Sequence, residues 1–457
     1  MRRLLPLFLF VLLLTGQGCG SADQAINTPT ALEIWGVFDA ERNYAEVIEA
    51  YRLLHPNVSI NYRGFRAEEY ETELVRSFAE GTGPDIFLVH NDSMREFQSL
   101  MMPMPETVTI AYQEVRGTVK KEVVNVLRTE QTISMRSFAD KFVDVVEEDA
   151  ILAYQPDPKI APVDRIYGLP TGLDTLALYW NKDLLNAAGI ATAPTTWTEF
   201  QEAVTLLTKI DTAGAITTSG AGLGTSNNVE RAVDILALLM MQNGTVMADD
   251  RGRATFHEAP EGLARNELPG LDATRFYTDF ANPTKAVYTW NTDRPNSFDA
   301  FVNGTSAMYF GYAYSLPLIR TAAPKLNFAI SEVPQIEAGR QVNLANYWLM
   351  GVSKDTADFN YAWDFIQFLT TEEEQNAKYL AASGKPPALR GLIASQLEDE
   401  DLAPFASQVL TAKSWYRGSD ATAAETAMLQ LIDAILAGVI DSGDAIDQAA
   451  SKVNQTL

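Results

Sequence analysis

The chain has 457 residues, 47% of them hydrophobic, which is enough for two packed cores, because single cores stop growing near roughly 250 to 300 residues. Its 59 acidic residues outnumber 35 basic ones, and the net charge of −24 is spread along the chain. Such a surface repels phosphate backbones and argues against a nucleic-acid partner, while the one cysteine excludes an intramolecular disulfide, so the fold must rest on core packing.

The N-terminus reads as an export signal: positive charge at Arg2 and Arg3, an apolar run from Leu4 to Leu14, and small residues at Gly16, Gly18 and Gly20. Eleven apolar residues are too few for a membrane-spanning helix, which needs about 20. Residues 1–19 are expected to be a signal peptide with Cys19 as a lipidation site, although the leucine that lipoprotein signals place three residues before the cysteine is replaced by Gly16. The other reading is ordinary cleavage near Gly18, with Cys19 incidental. Either way the mature protein is expected outside the cytoplasm, in the cell envelope. Residues 20–30 are small and polar and suit a flexible linker.

Ala31 to Trp35 reads as a buried strand broken by Gly36. Tyr44, Val47, Ile48, Tyr51 and Leu54 then follow at helical spacing, and Val58, Ile60 and Tyr62 alternate as a second strand. Parallel strand–helix–strand units place ligand loops at the carboxyl ends of their strands, so Trp35 to Glu41 is a candidate binding loop. Tyr70, Leu74 and Phe78 mark a second helix, stopped at Gly81 to Pro84. The strand Asp85 to Val89 then delivers His90, Asn91 and Asp92 at its end. By the same rule Asp39, Glu41, Arg66, Asn91 and Asp92 are ligand-contact candidates. Each could instead be a solvated loop charge or a helix cap.

Four blocks occur in a definite order: Glu80 to Asp92 (EGTGPDIFLVHND), Tyr167 to Asp183 (YGLPTGLDTLALYWNKD), Phe301 to Tyr314 (FVNGTSAMYFGYAY) and Asn346 to Leu369 (NYWLMGVSKDTADFNYAWDFIQFL). Together they resemble the bacterial extracellular solute-binding proteins of the carbohydrate class, the maltose-binding-protein-like receptors of ABC importers. The resemblance implies an α/β, two-lobed periplasmic-binding-protein-like fold (class II) with three interlobe crossings. Lobe 1 would be residues 31–172 plus about 343–386, and lobe 2 residues 173–342 plus about 387–457. It also implies a monomer that captures a carbohydrate in the interlobe cleft and passes it to ABC permease subunits, without catalysis, cofactor or metal.

The later segments supply further candidates. Thr171 to Thr175 looks like the first hinge, with Asp174 near the cleft. Thr196 and Glu199 form a capping box that starts a helix. Ser219 to Asn228 is glycine-rich, but the spacing of Gly220, Gly222 and Gly224 fits neither a dinucleotide fingerprint nor a phosphate loop, so it reads as a plain loop. Trp290 lies in a polar stretch. Tyr312 and Tyr314 follow the strand Ala307 to Phe310, where the resemblance places a stacking aromatic. Asn346 and Trp348 belong to the returning crossing, and Trp415 to a later, exposed-looking aromatic cluster; Tyr312, Tyr314 and Trp348 could also be core residues.

Asp358 starts a helix, Thr370 and Glu373 suggest a capping box for its successor, and Pro386 and Pro387 suit a third crossing. Met101 to Pro158 departs from the family, with helical runs expected at Tyr112 to Leu127 and Met135 to Val146.

Sugar recognition needs aromatic faces together with planar carboxylate, amide or guanidinium groups, and the candidates supply both. The other small polar solutes open to such a receptor are a polyamine, a glycerol phosphate or an oligopeptide. A secreted glycoside hydrolase is the alternative from another class, but His55, His90 and His257 are far apart and no elbow or zinc motif is present.

Overall fold

The computed structural model describes residues 29–457 apart from 119, 250, 337 and 338; Cys19 and the signal segment lie outside them. The strand Thr30–Val37 sits between Val58–Phe65 and Ile86–His90, parallel to both. Trp348–Ser353 returns antiparallel beside the latter, pairing Trp348 with His90 and Val352 with Ile86, and Met101–Met102 and Leu169–Pro170 complete the six-stranded sheet. The helix Glu41–Leu54 buries Tyr44, Val47 and Tyr51, and Ala67–Glu80 buries Tyr70 and Leu74 and ends at Gly81 (φ 71°), where only glycine is free of strain. Gly36 does not break the first strand. A Cβ there would come within 2.4 Å of Leu88 Cδ1, so glycine serves close packing and the strand runs on to Val37.

The expected helix at Tyr112 to Leu127 is instead a long antiparallel hairpin, Thr107–Arg116 against Glu122–Gln131. Its strands are rich in β-branched residues, and Val108 and Ile110 turn inward while Thr109 faces out, the period of a strand. The base is tied down by His55 Nδ1, 2.9 Å from Ala111 O, and by Thr109 N donating to Asn360 Oδ1. The second expected run, Met135 to Val146, is split into Met135–Lys141, capped by Ser134, and Asp144–Ala150.

The second sheet has the order Lys209–Ile210, Ile216–Ala221, Ser306–Gly311, Ala177–Asn181, Phe328–Glu332. Ala232–Gln242, apolar almost all round, is nearly wholly buried behind it. The Thr196–Glu199 capping box is present: Glu199 N donates to Thr196 Oγ1 and Thr196 N to Glu199 Oε2. The second expected box is absent. Thr370 Oγ1 donates to Ile366 O inside the helix Phe359–Thr371, and the next helix, Glu373–Ser383, starts after Glu372.

The glycine-rich stretch is not all loop, since residues 219–221 end the strand Ile216–Ala221, and its glycines have a packing cause. A Cβ on Gly220 would stand 2.6 Å from Val204 Cα, and one on Gly222 2.6 Å from Ser297 Cβ. Gly220→Ala should therefore cost about 1–3 kcal/mol in urea unfolding, because backbone and not a flexible tip must yield.

A small third sheet joins the two bodies: Asp174–Thr175 pairs antiparallel with Ala345–Asn346, and Asn343–Leu344 parallel with Ala412–Lys413. One core gathers residues from Leu32 to Leu173 and again from Ala345 to Ala412; the other runs from Leu176 to Leu344 and again from Tyr416 to Val453. Pro386 remains beside the first core, its carbonyl accepting from Leu173 N at 3.0 Å.

Candidate functional site

Between the two bodies lie two adjoining cavities, of about 1040 and 380 Å³. Phe38, Tyr314, Asn346 and Trp348 border both. Phe38 follows the first strand of one body, and Tyr314 follows Ser306–Gly311 in the other. Their rings stack across the cleft at 5.9 Å and 17°. Trp348 stands 6.1 Å from Phe38 and meets His90 edge-on at 5.1 Å. Beneath Tyr314, Tyr312 stacks at 5.9 Å.

The smaller cavity is polar. His90 Nδ1 lies 2.6 Å from Asp92 Oδ1. Burial alone would lower the His90 pKa, but the Asp92 carboxylate outweighs it and holds the imidazole above its ordinary value; Asp92 is correspondingly held low against the pull of burial. Opposite, Arg231 grips Asp234 at 2.6 Å and lies over the Tyr312 ring. With these two pairs matched, Glu71 and Glu425 are the remaining carboxylates of the lining. Both are pushed up, chiefly by burial, and Asp92 adds to each.

Below them, Asp149 is enclosed at the junction. It accepts from Tyr347 OH (2.8 Å), Asn91 Nδ2 (3.2 Å), Ser414 Oγ (2.5 Å) and Arg417 Nε (3.2 Å), linking one core to the segment entering the other. The larger cavity is more apolar, lined by Leu316, Pro317, Leu380 and Leu392, with Asp174, Lys385, Gln396 and Arg320 among its polar groups.

Of the residues expected at the site, Asp92, Asp174, Tyr314, Asn346, Trp348 and Trp415 line the cleft. Asn91 reaches its wall, but its amide nitrogen is spent on Asp149 and its oxygen on Tyr347 N.

The others lie elsewhere. Asp39 has a fully enclosed side chain and gives its oxygens to Lys385, Tyr379, Tyr44 and Asn43. Glu41 opens the helix Glu41–Leu54 and is exposed, a position that favours an acid by the helix dipole alone. Arg66 is the exposed residue preceding the helix Ala67–Glu80. Trp290 is wholly buried in the second core, its Nε1 donating to Asn228 Oδ1 at 3.1 Å. Tyr312 is also fully buried, its hydroxyl donating to Asp234 at 2.7 Å, so the stacking face belongs to Tyr314, which is 37% exposed. Phe38, His90, Arg231, Glu71 and Glu425 were missed. Phe38 and His90 were within reach, since Phe38 lies in the candidate loop Trp35 to Glu41 and His90 ends the strand that delivers Asn91 and Asp92.

Among the described residues no group of histidine, cysteine and acids could hold a metal ion. The model of the family "bacterial extracellular solute-binding protein" matches residues 46–404. Similar solved structures include the cyclic alpha-maltosyl-1,6-maltose binding protein from Arthrobacter globiformis (16% identical, 93% of this chain and 98% of that one, TM-score 0.70). The sugar-binding protein MalE from Xanthomonas citri is also similar (17%, 93% and 97%, TM-score 0.68). A third is a solute-binding protein of an ABC transporter from Thermotoga lettingae, bound with alpha-D-tagatose (19%, 93% and 99%, TM-score 0.66). The two-lobed α/β fold is that of these receptors, and with the family model spanning most of its length the chain belongs to the bacterial extracellular solute-binding proteins.

Proposed function

We propose that this protein is the exported receptor of an ABC importer, that it captures a carbohydrate in the interlobe cleft, and that it hands the sugar to a permease without chemistry of its own. The observation that carries this is the convergence of Tyr314 from one lobe and Trp348 from the other on Phe38, with Asn346, Asp92 and Asp174 in the same lining. Pyranose rings offer an apolar face to such rings and hydroxyls to such amides and carboxylates. The ligands named for the similar structures are sugars, which agrees with this chemistry.

Closure would turn on the three-stranded connecting sheet, with Ala412–Lys413 as its third segment in place of Pro386 and Pro387. A lipid on Cys19 would tether the receptor beside its transporter; the intact mass of the mature protein distinguishes a lipidated Cys19 from cleavage near Gly18.

The two unmatched carboxylates of the smaller cavity, Glu71 and Glu425, favour one second reading, a polyamine ligand. A thermal-shift screen against sugars, polyamines and glycerol phosphates separates the two: stabilisation by a polyamine and by no sugar removes the carbohydrate assignment. For the sugar that binds, Tyr314→Ala should weaken affinity by about three- to tenfold, the loss of one stacked face, with only a small fall in melting temperature because the ring is partly exposed. Unaltered affinity in calorimetry would exclude Tyr314 from the site.

A further inference from the structure

Among the described residues two non-glycines have positive φ, Phe38 (59°) and Arg231 (60°), and both line the smaller cavity, from opposite lobes. Left-handed backbone is costly for a residue with a Cβ, and such strain gathers where a conformation is used. The Phe38 ring is 59% exposed, and it spends its stacking face on Tyr314. At 5.9 Å the two rings leave no room for a third. A sugar ring held between them would need roughly 8 Å, two contacts of about 4 Å each. The stack is also part of the wall that the two cavities share, with Asn346 and Trp348, since all four residues border each of them.

We infer that Phe38 is a displaceable partition: one ring of the ligand takes its place on Tyr314, the two cavities become one channel, and the ligand is an oligosaccharide that runs through both and not a monosaccharide. This rests on the carbohydrate reading given above. Each end of the channel has polar groups for a hydroxyl. In the larger cavity the buried Oε1 of Gln396 has no hydrogen-bond partner, while its Nε2 donates to Lys385 O at 2.9 Å. A buried acceptor of that kind calls for a donor. In the smaller cavity Glu71 and Glu425 present carboxylates. Moving Phe38 loses little, because an exposed ring gives up little buried area and its backbone leaves a strained region.

The partition and a simple stacking platform predict opposite signs for one substitution. If Phe38 occupies the place of a sugar ring, Phe38→Ala removes a competitor and should tighten oligosaccharide binding about three- to tenfold, the range of an aromatic pair. Faster association should appear in the fluorescence of Trp348. Phe38→Gly, which accepts positive φ freely, should act in the same direction.

Calorimetry of the mature protein with glucose, mannose, maltose, mannobiose and maltotetraose completes the test. The expected result is at least tenfold tighter binding of an oligosaccharide than of its monosaccharide. Equal affinity for the monosaccharide, or weakened or unchanged affinity in Phe38→Ala, overturns the inference and leaves the carbohydrate receptor standing. Binding of no saccharide at any length overturns both.

Discussion

Replacing Lys385 by methionine should lower the unfolding free energy at pH 7 by about 3–5 kcal/mol, the cost of breaking a buried ion pair from one side. Lys385 Nζ lies 2.8 Å from Asp39 Oδ2, and the Asp39 side chain has no exposure. Tyr379 OH at 2.7 Å, Tyr44 OH at 3.0 Å and Asn43 Nδ2 at 2.8 Å also donate to that carboxylate. Burial pushes the Asp39 pKa up, but the Lys385 charge and these donors more than reverse it, so the group titrates below its usual value of 3.8. Its contribution is therefore complete above the unfolded pKa and is lost only as pH falls through the lower folded value.

Without the ammonium, burial dominates and the sign inverts: the variant's deficit should shrink toward pH 4, where the stranded carboxylate takes a proton. Urea unfolding at pH 7 and pH 4 reads both effects. A deficit under about 1 kcal/mol at pH 7 would mean that the pair holds no charge worth desolvating. The pair joins the residue after Phe38 to the segment that follows Gly384, so the same lysine fixes the base of the cleft loop.

The parallel strands and their helices could be read from sequence because apolar spacing and glycine stops agreed at every step: Tyr44, Val47 and Tyr51 bury the face their period predicts, and Gly81 ends the next helix in the left-handed region. The hairpin was misread because Tyr112, Val115, Val119 and Val123 fall at steps of three and four, the helical period, within a mixed-charge stretch. Its inward face exists only where the helix Phe359–Thr371 comes against it.

Side-chain direction at the site was harder still. Tyr312 and Tyr314 both follow a strand and differ only in which way the turn after Gly311 sends them. Asp39 has every local mark of a ligand carboxylate, yet a lysine 346 positions later claims it. Trp290 lies in a polar stretch whose neighbours give no hint that Asn228 waits to accept its N–H. A left-handed Phe38 has no sequence signal at all, since nothing local demands glycine there. Partners remote in sequence decide each case.

Asp174 should make the stability of this protein depend on pH near neutrality, and Asp174→Asn should weaken that dependence. The residue starts the connecting strand Asp174–Thr175 and faces the larger cavity. Burial pushes its pKa up to about 7, against the opposing pull of the N–H groups of Ala313, Thr175 and Tyr314 and the Lys385 charge. Ala313 N donates to Oδ2 at 2.8 Å, so this carboxyl also bridges the first connection to the turn that carries Tyr314.

Because the folded pKa lies above the unfolded 3.8, the folded state keeps its proton where the unfolded chain has lost it. This group's stabilising contribution is thus full below pH 3.8 and is lost progressively up to about pH 7, by at most about 4 kcal/mol. Asparagine keeps an acceptor for Ala313 N and carries no charge. Between pH 5 and 8, urea midpoints of the wild type should fall by more than those of Asp174→Asn, and parallel curves would show that Asp174 ionises normally. Ligand affinity should move with it, because the proton on Asp174 decides whether the floor of the cavity donates to a sugar hydroxyl or accepts from one.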